Sequence, residues 1–221
     1  MLNIFFNLNE DGGSIKSAGY IIIFAVIALI CIAVSCIHPT ESKHKFSTKQ
    51  LVFCAICIAL AYVTSRLKIY DAPMGGSVTL FSMFFITLIG YFYGPYIGIV
   101  SAIAYGLIQL VTDPYIVYPL QIIVDYPLAF GALGISGFFR KQKYGLMKGY
   151  IAGIIGRFIF ATLSGIIFFA EYAYDGWNVV VYSVCYNGIY IGIEGVITIA
   201  LLCIPAVKNG LMEVSNIVQD N

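Results

Sequence analysis

Seven apolar stretches alternate with short polar ones along the chain. Residues 18–37 form a continuous apolar run of 20, which at ~1.5 Å per residue makes ~30 Å of helix and one membrane span. The polar linker HPTESKHKFSTKQ (38–50) follows, with Ser47 placed to cap a second span over 51–67. KIYDAPMGGS (68–77) has the Pro/Gly content of a turn. A third span is predicted over 78–92, ended by Gly94–Pro95, and a fourth over 96–112. The fifth covers 120–139, and the basic connector RKQKYG (140–145) separates it from the sixth at 146–169. AEYAYDGWN is a polar loop holding the single tryptophan, the seventh span covers 180–207, and a short polar tail follows Lys208. The pattern predicts an all-α integral membrane protein in two parts. Residues 1–46 supply an additional N-terminal transmembrane helix with its linker, and 47–221 supply a six-helix body with a cytoplasmic tail.

Composition removes the soluble alternatives. Of 221 residues, 60% are hydrophobic and 10% charged, with mean hydropathy +0.91, against ~25% charged in ordinary soluble domains. A net charge of +1 gives no reason to expect a nucleic-acid partner. The six cysteines lie in apolar runs, where a disulfide or zinc framework is not expected, and the Cys54/Cys57 pair reads as apolar filler. Residues 1–17 lack the basic start of a signal peptide. Lysine and arginine crowd one side of the membrane (Lys43, Lys45, Lys49, Arg140, Lys141, Lys143, Lys148, Lys208), while the other side has Lys16, Arg66 and Lys68. The first side is therefore assigned to the cytoplasm, with the N-terminus outside if 18–37 spans, and the C-terminus inside. Small residues four apart recur as Ala55/Ala59, Gly98/Ala102/Gly106, Gly149/Gly153 and Gly188/Gly192. That spacing lets helices approach closely, within the chain or toward a partner.

The candidate chemistry centres on Asp125, a carboxylate inside the fifth span. Such a group costs ~2.5–3.5 kcal/mol on insertion scales, so a partner or ligand is expected. Gln121 and Tyr118 lie one and two turns above it on the same face, and Pro127 leaves the carbonyl of Ile123 without its helical donor. The group forms either a polar pocket or a packing cluster. Depth favours the pocket. At ~1.5 Å per residue, Asp125 lies about 9 Å below the outer end of its span and Asn187 about 10 Å below that of the seventh, with Tyr182 above it. Gly165 and Phe169 fall in the same outer third of the sixth span. An acid among aromatic rings suits a small cationic aromatic compound. Arg157 and Glu194 lie deeper and are expected to meet as a structural ion pair, a proton relay being the other reading. No signature of a metalloprotease, serine hydrolase or phosphate-binding loop is present. No enzyme activity, metal or cofactor is therefore expected, and uphill transport needs an ion gradient or a separate motor.

The segments APMGGSVTLFSM (72–83), DPYIVYPLQIIVDYPLAFGALGISGFF (113–139), SGIIFF (164–169) and YSVCYNG (182–188) closely resemble the ThiT/YuaJ family. Its members are thiamine-binding S-components of energy-coupling factor (ECF) vitamin importers. The resemblance runs in order over residues 47–207 and implies a six-helix S-component bundle in the cell membrane. It also implies a transmembrane coupling protein and two ATPase subunits as partners. By position it implies substrate contacts from Asp125, Tyr126, Tyr115, Gly165, Phe169, Tyr182 and Asn187, to which the Asp125 cluster adds Gln121. It implies a lid over the ligand at Gly75, Gly76 and Ser77, and partner docking at Ala55 and Ala59. Ala161 stands where many relatives have histidine, so a thiamine precursor or analogue remains alongside thiamine as ligand. Another aromatic vitamin, or ion-coupled transport through Arg157, Glu194 and Asp125, are the other functions open to the chain.

Overall fold

The computed structural model describes residues 6–7, 14–15, 47–174 and 176–219. The expected span 18–37 lies outside the described residues. Two short strands, β1 (Phe6–Asn7) and β2 (Ser14–Ile15), pair antiparallel ahead of it. Helix α1 (Thr48–Ser65) starts at Ser47, whose N–H donates to Gln50 Oε1 at 3.1 Å, the return bond of a capping box. A hairpin of β3 (Lys68–Asp71) and β4 (Ser77–Thr79) follows, then α2 (Ser82–Tyr93) and α3 (Pro95–Thr112). A distorted helix α4 (Gln121–Phe139), α5 (Gly145–Phe168), α6 (Val179–Leu202) and α7 (Pro205–Gln219) complete the described chain.

Five of these helices (α1, α3, α4, α5 and α6) are long and apolar enough to cross a membrane, and α2 is a shorter apolar helix of 12 residues. The protein is a mostly helical, multi-pass membrane protein. Helix α4 is the central one: 61% of it is buried, against 22–39% in the other four, and it packs on α2, α3 and α5. Close approach there requires glycine. A Cβ on Gly134 would sit 2.3 Å from the Ile99 nitrogen, and one on Gly98 would sit 2.5 Å from the Gly90 Cα. The Gly98/Ala102/Gly106 spacing thus serves packing inside the chain. Ala55 and Ala59 instead lie exposed on α1, beside exposed Val52, Ile56, Leu60 and Val63.

Three elements differ from the hydropathy pattern. The third predicted span loses its first residues to β4, and Phe81 at φ 62° turns the chain before α2 begins. In α4, Pro127 cannot donate to the helix ladder, so Val124–Leu128 widens into a π turn in which the Ala129 N–H reaches the Val124 carbonyl. The seventh predicted span ends at Leu202, and the presumed polar tail is the helix α7, opened by Pro205. Val207, Leu211, Val214 and Val218 recur at i, i+4, i+7 and i+11 and pack on the core, an amphipathic period hidden by the polar average.

Candidate functional site

A cavity of about 230 Å³ lies among α3, α4, α5 and α6, with the β3–β4 hairpin and the 113–119 loop at its mouth. Asp125, Gln121, Tyr126, Tyr115, Gly165, Phe169, Tyr182 and Asn187 all line it, as do Gly75, Gly76 and Ser77 of the hairpin. The helical rise had put an acid, an amide, phenols and a phenyl at one depth, and the fold turns them toward one space.

Their roles in that space differ. Gln121 is occupied with the loop above it: its Oε1 accepts from the Val117 and Tyr118 N–H groups at 2.8 and 3.2 Å, and its Nε2 donates to the Tyr115 carbonyl at 3.0 Å. The Tyr126 hydroxyl accepts from the Tyr115 N–H at 2.8 Å. These two side chains set the loop so that the Tyr115 ring stacks beside Phe169, centroids 6.0 Å apart and planes 22° from parallel. Tyr118, expected on the cavity face, turns outward and donates to Glu171 at 2.6 Å. That bond holds the phenol proton and pushes its pKa up. Asn187 is oriented from both ends: Nδ2 donates to the Ser183 carbonyl at 2.9 Å, and Oδ1 accepts from the Tyr190 hydroxyl at 2.8 Å. Gly165 gives this pair room, because a Cβ there would come within 2.9 Å of Ser183 Oγ and 3.3 Å of Asn187 Nδ2.

The hairpin is held to α6 at two heights. At its tip the Gly76 N–H donates to the Tyr186 hydroxyl at 3.0 Å, that hydroxyl donates to the Pro73 carbonyl, and the Tyr182 hydroxyl contacts Met74 Sδ at 3.6 Å. Gly75, at φ 84°, lies so near Tyr115 that a Cβ would come within 2.8 Å of it, so the tip fits against the opposite loop. At the base, Glu194 accepts from Thr79 Oγ1 at 2.6 Å, Ser82 Oγ at 3.1 Å and the Met83 N–H at 3.0 Å. It therefore caps α2 instead of pairing with Arg157. The expected ion pair is absent among the described residues, because Glu194 faces the hairpin while Arg157 lies over the Phe130 ring, 4.2 Å from its centroid. Outside the helices, Lys68 bridges Asp71 at 3.1 Å and Asp113 at 3.2 Å. Burial works against its charge, but the bonds to both acids more than offset this and raise its pKa.

Asp125 makes no salt bridge among the described residues. Ser164 and Gln121 lie near its carboxylate, and Arg157 acts on it at longer range. A carboxylate so placed, beside stacked aromatic rings and under a two-point hairpin, can receive a compact cation with planar rings. Tyr186, Tyr190 and Met74 were not singled out from the sequence. Tyr182, Tyr186 and Tyr190 recur every four residues on α6, so the i, i+4, i+8 tyrosine stripe was the available signal.

The family model described as "Thiamine transporter protein (Thia_YuaJ)" matches residues 51–213. The chain is similar to "Thiamine transporter ThiT" of Bacillus subtilis, with 31% identity over 179 residues covering 71% of this chain and 91% of that one. A second similar protein, "Thiamine transporter ThiT" of Lacticaseibacillus paracasei, is 35% identical over 83 residues, or 32% of this chain and 41% of its own length. Among solved structures, ThiT from Listeria monocytogenes superposes with a TM-score of 0.60 at 26% identity, covering 72% of this chain and 93% of that one.

Proposed function

The chain belongs to the thiamine transporter (Thia_YuaJ) family, and we propose that it is the S-component that captures thiamine from outside and delivers it with an ATP-driven ECF module. The observation that carries this reading is Asp125 facing a cavity of about 230 Å³ without a salt bridge among the described residues. A thiamine cation supplies the charge that this acid lacks, and its two planar rings match the aromatic lining from Phe169, Tyr115 and Tyr182. Asn187, held at both ends, orients the ligand, and the Gly75–Gly76–Ser77 tip closes over it. Gln121 and Tyr126 act one step back by fixing the 113–119 loop.

The exposed Ala55/Ala59 face of α1 offers a shallow apolar seat for the transmembrane coupling protein, since small residues permit close helix contact. The lysine and arginine bias places the C-terminus in the cytoplasm and the hairpin outside. Relay-type ion coupling is less well supported, because Glu194 is committed to Thr79, Ser82 and Met83. Ala161 lines the cavity and adds space without polarity, which extends the candidate ligands to precursors and analogues of thiamine.

The test is a thiamine titration of the purified full chain, without partners, read by intrinsic fluorescence with pyridoxine and riboflavin as controls. Trp177 lies 6.0 Å from Tyr174, which contacts Tyr182 at 5.4 Å, so the reporter is coupled to the cavity lining. Binding of thiamine in the micromolar range or tighter, and not of the controls, is the expected result. Absence of such binding overturns the assignment. Uptake that persists in cells lacking the ATPase subunits overturns the ECF coupling alone.

A further inference from the structure

Arg157 is a charged cavity group that the binding scheme above leaves without a task. It lines the cavity with Ala161, Gly165 and Phe169, four positions spaced one turn apart along α5 and its end. The sequence along that face runs long cation, small, small, aromatic, and all four residues border the same cavity. A guanidinium carries five N–H donors along the edge of its plane. The Phe130 ring centroid, 4.2 Å from its carbon, favours the charge, but the ring supplies no oxygen or nitrogen acceptor to those donors.

The nearby acids are engaged or do not reach it. Both oxygens of Glu194 are held by Thr79, Ser82 and Met83. Asp113 lies with Lys68 at 3.2 Å and Arg66 at 3.5 Å. Asp125 forms no salt bridge with Arg157 among the described residues. The cavity thus presents a carboxylate and a guanidinium with no salt bridge between them among the described residues, an arrangement complementary to a molecule with a cationic centre and a separate acceptor. A ligand acceptor placed at those edge donors forms a charge-assisted hydrogen bond, roughly twice as strong as a neutral one, and so contributes affinity and selectivity together.

We propose that Arg157 is a ligand-contacting, specificity-determining residue whose guanidinium donates to an acceptor on the bound molecule while Asp125 takes its cationic centre. The inference rests on the thiamine-class reading of the cavity. The acceptors available in such a molecule are its pyrimidine ring nitrogens and its hydroxyethyl oxygen.

The experiment titrates thiamine, an analogue with ethyl in place of hydroxyethyl, and analogues with one pyrimidine nitrogen replaced by C–H, against the full chain and Arg157→Met. In the wild type, one analogue is expected to bind ~10- to 100-fold more weakly than thiamine, the worth of a charged hydrogen bond. In Arg157→Met, thiamine should fall to the level of that analogue and the ratio between them should collapse to about 1. A general loss of structure cannot produce that selective collapse. If Arg157→Met does not purify as a single species, Arg157→Lys carries the same comparison: it keeps the charge and loses the two-donor geometry, so its ratio should fall between the others. Equal ratios in wild type and variant, or no analogue weaker than thiamine, overturn the role of Arg157 and leave the thiamine reading standing. A wild-type chain that binds none of the compounds overturns that reading, and this inference with it.

Discussion

Two carboxylates sit inside the membrane-spanning body, and they have opposite surroundings. Glu194 on α6 accepts three hydrogen bonds at 2.6–3.1 Å from the strand–helix junction and is 3% exposed. Asp125 on α4 faces a cavity and makes no salt bridge among the described residues. Both carry the same cost of placing an acid in a low-dielectric interior. The Glu194 site offsets that cost with its own donors and so gains a defined junction between β4 and α2. The Asp125 site supplies only Ser164, Gln121 and the longer-range charge of Arg157 and leaves the rest of the offset to a molecule that arrives. A buried acid is therefore assigned by what meets its oxygens, not by its depth.

The contrast predicts where substitutions act. The largest effect falls on Glu194→Ala, which leaves the Met83 N–H and one of the mutually bonded Thr79 and Ser82 hydroxyls without an acceptor and should cost about 2–5 kcal/mol of stability. Thermal unfolding in detergent without ligand measures this, and an unchanged midpoint would break the comparison from the Glu194 side. Asp125→Asn should weaken thiamine binding by about 30-fold or more, near 2 kcal/mol for a charged contact, while the ligand-free protein stays as stable as wild type or gains, since a buried charge has been removed. Loss of stability with affinity retained would reverse the two roles. The smallest effect belongs to Tyr186→Phe, which removes the tip bond to Gly76, leaving the base at Glu194 intact. About 1 kcal/mol is lost, expected as roughly fivefold faster ligand release in a stopped-flow chase, with the unfolding midpoint nearly unmoved.

Much of the site could be read from the sequence because transmembrane helices are regular. A rise of ~1.5 Å per residue turns residue number into depth, and depth alone brought Asp125, Gly165, Phe169, Tyr182 and Asn187 to one level before any fold was available. Rotation about the helix axis was harder to assign. Tyr118 was placed on the cavity face by spacing, yet the chain before Gln121 is a loop, so helical periodicity did not apply and the ring turned to Glu171. Arg157 and Glu194 were paired by depth, and depth does not say which neighbour each helix faces. Tyr186 and Tyr190 share the cavity face of α6 with Tyr182, but each alone resembles an ordinary interfacial aromatic residue.

The sequence by itself determined the membrane environment, the number and order of most long helices, the acid at the centre and the family to which its motifs belong. These follow from hydropathy and from local spacing, which are properties of consecutive residues. Only the tertiary structure decided that Glu194 is satisfied by residues more than a hundred positions away, that Gln121 is spent on its own loop, and that Arg157 faces the cavity. Those outcomes depend on which helix faces packed together, and close contacts such as Gly134 on Ile99 fix those faces through the volumes of residues far apart in the chain.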